Sequence, residues 1–199
     1  MWLNLLMMSA ATLMSIPLLV IAIELLITLF SKTEIVLPVA FQGSYKILIP
    51  AHNEGEIITK TLGDLITSSV SADSIIVVAD NCTDNTAEIA RNLGCVVLER
   101  FDQEHRGKGY ALDYGITYLK EQSHPDVLII LDADCQIRAE SLDLLAYRSL
   151  HDDRPIQALY LMRHSDSTSL KQRVASFAWL VKNKIRPIAV NQLDLPVTL

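Results

Sequence analysis

The sequence predicts an α/β domain with a mostly parallel sheet, preceded by one transmembrane helix. Three observations carry this. Short β-branched runs alternate with segments of helical spacing from Lys46 onward, the pattern of strands linked by crossover helices. The polar residues that follow those runs are rich in carboxylates. Finally, from Leu5 to Phe30 the chain carries a single ionisable group, Glu24, and the run is long enough to cross a bilayer as a helix. The expected organisation is an anchor over residues 1–31, a linker over 32–45 and a globular domain over 46–199.

A signal peptide is the main rival for the first segment. It would carry a positive stretch before a shorter apolar core. Here no Lys or Arg precedes the run, whereas Lys32 and Lys46 follow it, which places the globular side in the cytoplasm by the positive-inside tendency. The expected location is the cytoplasmic (inner) membrane, single-pass. Pro17 can kink the helix, and Glu24 is costly in lipid unless it sits at an interface or against protein. Residues 32–45 are mixed and polar, with Pro38 and Gly43.

The elements of the domain follow in order. Lys46–Pro50 reads as the first strand, and Ile57–Ile66 as a helix opened by an Asn53/Glu56 capping box. Ser74–Ala79 is β-branched and apolar on both faces, as a buried parallel strand requires. Asn85 with Glu88 reads as a second capping box, for a helix through Arg91 closed by Gly94. A strand over Cys95–Leu98, a helix over Gly109–Glu121, a strand over Val127–Leu131 and a helix over Glu140–Leu150 follow. A fifth strand is expected over Ile156–Met162 and a last helix over Leu170–Lys184, ending before Pro187.

Charge and cysteine usage narrow the function. The chain holds 17 Lys+Arg against 23 Asp+Glu, and residues 1–30 contribute only Glu24 to that excess. A general nucleic-acid partner would want a basic domain, so none is expected. Cys82, Cys95 and Cys135 are odd in number and lack CxxC spacing, which argues against a disulfide framework or a zinc site and fits a reducing compartment.

Ligands in parallel sheets bind outside the carboxyl ends of the strands, which directs attention to the residues there. Asp132 and Asp134 end the most hydrophobic run. If the chain stays extended, both carboxylates face one site, and two hard oxygen donors suit Mg or Mn completed by a substrate phosphate. The plainer alternative is a pair of turn or capping aspartates. Asp80 is placed to accept a ligand's hydrogen bonds, while Asp84 reads as an acid at a helix start. Arg106–Gly109 is a basic, flexible loop suited to phosphate, but not a Walker A loop, and no Rossmann GxGxxG follows the first strand. His52 is a lone loop histidine, and no GxSxG elbow is present. Asn81-Cys82-Thr83 matches a glycosylation acceptor that a cytoplasmic domain would never present to that machinery.

The ordered motifs IPAHNEGEII, VVADNCTDNTAEIA, RGKGYALDYGI and IILDAD resemble the glycosyltransferase family 2 enzymes of GT-A fold, over about residues 46–137. The likeness is greatest to the membrane-bound members that build surface polysaccharides. It implies a nucleotide-diphospho-sugar transferase fold. It also implies that Pro50, Ala51, Asn53 and Glu54 form the nucleotide-binding turn, that Asp80 contacts the nucleobase, and that Lys108 lines the nucleotide pocket. Asp132 and Asp134 would hold a divalent metal against the diphosphate. The donor implied is a nucleotide-diphosphate sugar, with a UDP-sugar foremost, and the acceptor a polysaccharide or lipid-linked sugar, transferred with inversion.

The acceptor side departs from the family. No QxxRW-type motif is found, and nothing marks Asp166 or Asp194 as the base that would deprotonate the acceptor hydroxyl. The domain is therefore expected to be incomplete at its C-terminal side. Two further readings stand beside transfer. One is a nucleotide-sugar-binding remnant or subunit whose base comes from a partner chain. The other is a sugar nucleotidyltransferase, disfavoured because HNEGE is not a Gly- and Arg-rich phosphate loop. The basic helix bearing Phe177, Trp179, Leu180 and Val181 could pack on the sheet or lie on anionic lipid.

Overall fold

The computed structural model describes residues 2–31, 41–122, 124–161, 169–193 and 195. The chain forms two compact units, one of Met1–Val36 with Gln157–Leu199, the other of Leu37–Ile156.

The second unit is built on a four-stranded parallel sheet of β1 (Tyr45–Ala51), β2 (Ile75–Asp80), β3 (Val96–Arg100) and β4 (Val127–Ile130), in the order β3-β2-β1-β4. Helices α2 (Gly55–Thr67), α3 (Thr86–Asn92), α4 (Lys108–Gln122) and α5 (Ala139–His151) alternate with the strands. All six residues of β2 are buried, so the two faces of the sheet divide by side-chain parity. Ile47, Ile49, Ala51, Ile75 and Val77 point into one core with Ile58, Leu62 and Leu65 of α2 and Leu142 and Ala146 of α5. Leu48, Ile76 and Val78 point into the other, with Ala111 and Leu119 of α4.

The expected strands and helices lie within a residue or two of those observed, apart from three differences. Residues 156–161 form no strand, and Met162 lies outside the described residues. Neither expected capping box forms: the N-caps of α2 and α3 are Glu54 and Asn85, without a side-chain cap bond. Asp84 takes over both ends. Its Oδ2 accepts the Gly55 N–H at 3.0 Å and its Oδ1 the Thr86 N–H at 3.0 Å, so one carboxylate serves the orphan donors of two helices. Of the expected linker, residues 32–40 lie outside the described residues. Ser44 is already tied to the domain, its N–H and hydroxyl both donating to Asp126 Oδ2 at 2.8 Å.

In the first unit, α1 (Trp2–Phe30) is a continuous helix that includes Pro17. Its segment Leu6–Phe30 is long and apolar enough to cross a membrane. Glu24 is largely covered and lies 3.5 Å from Arg186. The last helix does not stop before Pro187. Helix α6 (Leu170–Leu180) runs through a π-helical turn, Val181–Ile185, into α7 (Arg186–Gln192). Proline lacks an N–H and crowds the carbonyl four residues back, and the widened turn relieves that conflict. The buried Ile185 and Ala189 lie in the segment that packs on α1, and Thr28 Oγ1 donates to the Ile185 carbonyl at 3.0 Å.

Helix α4 lies close against the sheet at Gly115. A Cβ on Gly115 would meet Leu48 Cδ1 at 2.5 Å and Val78 Cγ2 at 3.0 Å. Gly115→Val is expected to lower stability by about 1–3 kcal/mol, as overpacking of a filled core does. Chemical denaturation of the variant beside the parent checks this.

Candidate functional site

The strand order reverses beside β1, because β2 and β3 lie to one side of it and β4 to the other. Ligand crevices in open parallel sheets form at such switch points. A cavity of about 610 Å³ opens here. Its lining includes all eight residues expected from the sequence: Pro50, Ala51, Asn53, Glu54, Asp80, Lys108, Asp132 and Asp134. His52, Asn81, Thr83, Gln103, Arg106 and Gly107 complete its polar wall.

The loop after β1 is held by side chains from the loop after β2. Asn53 takes a left-handed backbone, φ 55°, which asparagine tolerates better than most residues. Its Oδ1 accepts the Thr83 N–H at 2.8 Å, which is why it cannot cap α2. His52 Nδ1–H donates to the Asp80 carbonyl at 2.7 Å, so this histidine is engaged rather than simply solvated. Glu54 N–H donates to Thr86 Oγ1 at 2.9 Å, and Thr86 is fully buried.

Asp80 closes β2 in a buried polar knot that the sequence reading missed. Arg100 Nη1 donates to Asp80 Oδ1 at 2.7 Å and Arg100 Nη2 to Asp102 Oδ2 at 3.0 Å, with the guanidinium side chain only 10% exposed. Asn81, also left-handed at φ 52°, donates through Nδ2 to Asp80 Oδ1 and to the Asp102 carbonyl, both at 3.0 Å. Its Oδ1 accepts the Asp102 N–H at 2.9 Å and Gln103 Nε2 at 3.1 Å. An amide so fully engaged and 8% exposed is no acceptor for a glycan. The His105 N–H, then that of Glu104, hold the Asp102 carboxyl below the usual carboxylate range. No local signal pointed to it: Arg100 meets Asp80 through the register of β3 on β2.

On the opposite wall the structure corrects the geometry expected for the two aspartates. β4 ends at Ile130, and a turn closed by Cys135 N–H on the Asp132 carbonyl at 3.0 Å follows. The turn, not an extended strand, brings the carboxylates together. Asp132, Asp134 and Cys135 each offer a ligand atom, all within 4.8 Å of one another. A carboxylate pair of this kind fits Mg or Mn, which take oxygen donors. Thr61 of α2 anchors the turn, its buried hydroxyl donating to the Ala133 carbonyl at 2.6 Å. Lys108, first residue of α4, forms an ion pair with Asp132, both about half exposed. Gly107 before it sits at φ 115°, which a side chain would strain.

The cysteines form no disulfide. Burial pushes the Cys95 thiol up to about 11 and raises that of Cys82, so both stay protonated and unreactive near neutral pH. Of the carboxylates weighed as an acceptor-side base, Asp166 and Asp194 lie outside the described residues.

Two outcomes follow. Thr61→Val leaves the Ala133 carbonyl buried without its donor, and is expected to cost about 1–3 kcal/mol in a denaturant titration. Bonds from the Thr86 hydroxyl first, and from the Gly55 and Thr86 N–H groups, lower the Asp84 pKa. Its contribution is therefore full above the ordinary carboxylate range and lost as pH falls through the folded-state value. Asp84→Asn is expected to melt below the parent at neutral pH, with the gap closing on acidification below about pH 4.

Residues 46–195 match the family Glycosyl transferase family 2, a span that includes the whole cleft. The chain is 33% identical over 129 residues to 4,4'-diaponeurosporenoate glycosyltransferase of Staphylococcus haemolyticus, a match covering 59% of this chain and 33% of that protein. It is 31% identical over 111 residues to poly-beta-1,6-N-acetyl-D-glucosamine synthase of Staphylococcus aureus, covering 54% and 26%. The matches thus span a third or less of the length of these relatives. A mannosyltransferase from Pyrobaculum calidifontis, solved in complex with GDP-Man and Mn2+, shares the fold. Its TM-score is 0.54 over 70% of this chain and 42% of its own, at 19% identity. With the family match covering most of its length, the chain belongs to glycosyltransferase family 2.

Proposed function

We propose that this chain provides the donor site of a membrane-anchored glycosyltransferase. In this reading it takes a nucleotide-diphosphate sugar, a UDP-sugar foremost, and passes the sugar with inversion to a polysaccharide or lipid-linked acceptor. The observation that carries the reading is the division of the cleft. A fixed carboxylate, Asp80, stands on one side, and the paired carboxylates Asp132 and Asp134 with Lys108 stand on the other. A nucleoside diphosphate has the same two ends, a base that offers hydrogen-bond donors and a diphosphate that needs positive charge.

The residues take the following roles. Pro50, Ala51, Asn53 and Glu54 form the floor under the nucleoside, and Asp80 accepts from the base. Asp132 and Asp134 would hold Mg or Mn. When bound, the metal supplies positive charge to the departing diphosphate. Lys108 and the N-terminal N–H groups of α4 add fixed positive potential at the same wall. The Lys108–Asp132 pair is exposed, and exposed pairs contribute little, so Lys108 can leave Asp132 for a phosphate at small cost. The staphylococcal relatives, by name a glycosyltransferase and a polysaccharide synthase, support sugar transfer. The apolar run of α1 supports a single-pass anchor in the cytoplasmic membrane, with the globular domain in the cytoplasm.

The second reading is a nucleotide-sugar-binding subunit whose acceptor base comes from a partner chain. It is favoured by the use of Glu54, Asp80, Asp132 and Asp134 on the donor side of the cleft. Turnover of UDP-sugars by the full chain in membranes, measured beside binding, separates the two: binding without transfer selects the subunit. For the donor site itself, Asp134→Asn is expected to lose most of the metal-dependent part of UDP affinity. Calorimetry with and without Mn2+ measures it, and an unchanged metal response in the variant rules the assigned role out.

A further inference from the structure

We propose that Arg100 is a positioning residue that sets which nucleobase the cleft accepts, by occupying one oxygen of Asp80 and leaving the other as a lone acceptor. The inference rests on the donor-site reading above. Asp80 Oδ1 receives two donors, Arg100 Nη1 at 2.7 Å and Asn81 Nδ2 at 3.0 Å. Oδ2 has no protein donor among the described residues, and Asp80 lines the cleft.

The guanidinium cannot drift from this task. Its second nitrogen holds Asp102 Oδ2 at 3.0 Å, and its Cζ lies 5.7 Å from the centre of the Tyr110 ring. A planar fork spanning two carboxylates in a site this covered is a geometry lysine cannot copy.

A carboxylate only accepts hydrogen bonds. With one oxygen committed, Asp80 matches a base edge that offers a single N–H, as the uracil imide does. Guanine offers two adjacent N–H groups and is best met by both carboxylate oxygens together. By filling the site on Oδ1 that Asn81 leaves open, Arg100 converts a bidentate acceptor into a monodentate one, and the cleft selects uracil over guanine.

The test is calorimetry of UDP and of GDP, with Mn2+, against the full chain in detergent micelles. The parent is compared with Arg100→Met and with Arg100→Met/Asp102→Asn, which removes the second unpaired carboxylate and guards against misfolding of the single variant. The parent is expected to prefer UDP. In the variants the ratio of GDP to UDP dissociation constants is expected to fall by about tenfold, the size of one charged hydrogen bond gained by guanine. If both affinities fall together and the ratio holds, Arg100 is merely structural and the inference fails while the donor reading stands. A parent that prefers GDP also defeats the inference alone. A parent that binds neither nucleotide defeats the donor reading, and the inference with it.

Discussion

Burial of β1 and β2 on both faces leaves this domain one place to put polar chemistry. Along β1 and β2 the backbone is tied into parallel ladders, and the side chains fill two apolar cores. Where the strands stop, the chain must satisfy its hydrogen bonds by other means. It does so by crossing bonds between successive loops: Asn53 to Thr83, His52 to the Asp80 carbonyl, Asn81 to Asp102. Two asparagines in left-handed backbone, Asn53 and Asn81, make those reversals possible. The cleft is thus floored by loops that brace one another, although none of them belongs to a regular element.

The two ion pairs of the cleft differ in kind. Arg100 and Asp80 are each about nine-tenths covered, so breaking that pair strands a buried charge, which is strongly unfavourable. Lys108 and Asp132 are half exposed and exchange partners cheaply. One wall is therefore a template of fixed shape, and the other an adaptable electrostatic surface. A ligand that is rigid at one end and multiply charged at the other suits that contrast.

Much of this was legible in the residues. The β-branched runs located the four strands of the sheet, most plainly β2, because a parallel strand buried on both faces cannot hide its composition. Residues at their ends marked the cleft because parallel strands deliver their exits to one edge. What escaped prediction were the features decided by partners distant in sequence. Asn53 matched a cap by local spacing, yet Thr83, thirty residues on, claimed its side chain. Residues 156–161 have strand-like composition but no ladder to join among the described residues, and composition alone does not supply a neighbour. Arg100 drew no role from its local sequence, because only the register of β3 on β2 reveals that it faces Asp80. Pro187 read as a stop, since a local rule does not foresee a helix that widens by one residue to admit it.

Gly115 matters beyond packing. It lies seven residues along α4 from Lys108, roughly two helical turns or 10 Å, and between Ala111 and Leu119 it lets the helix lie close against Leu48 and Val78. A helix pressed so closely to the sheet acts as a stiff lever with its fulcrum at that missing side chain. The standoff of α4 at Gly115 sets how deep its amino end, with the ammonium of Lys108, sits beside the β4 turn. A buried glycine thereby calibrates the reach of the charge at the helix's amino end.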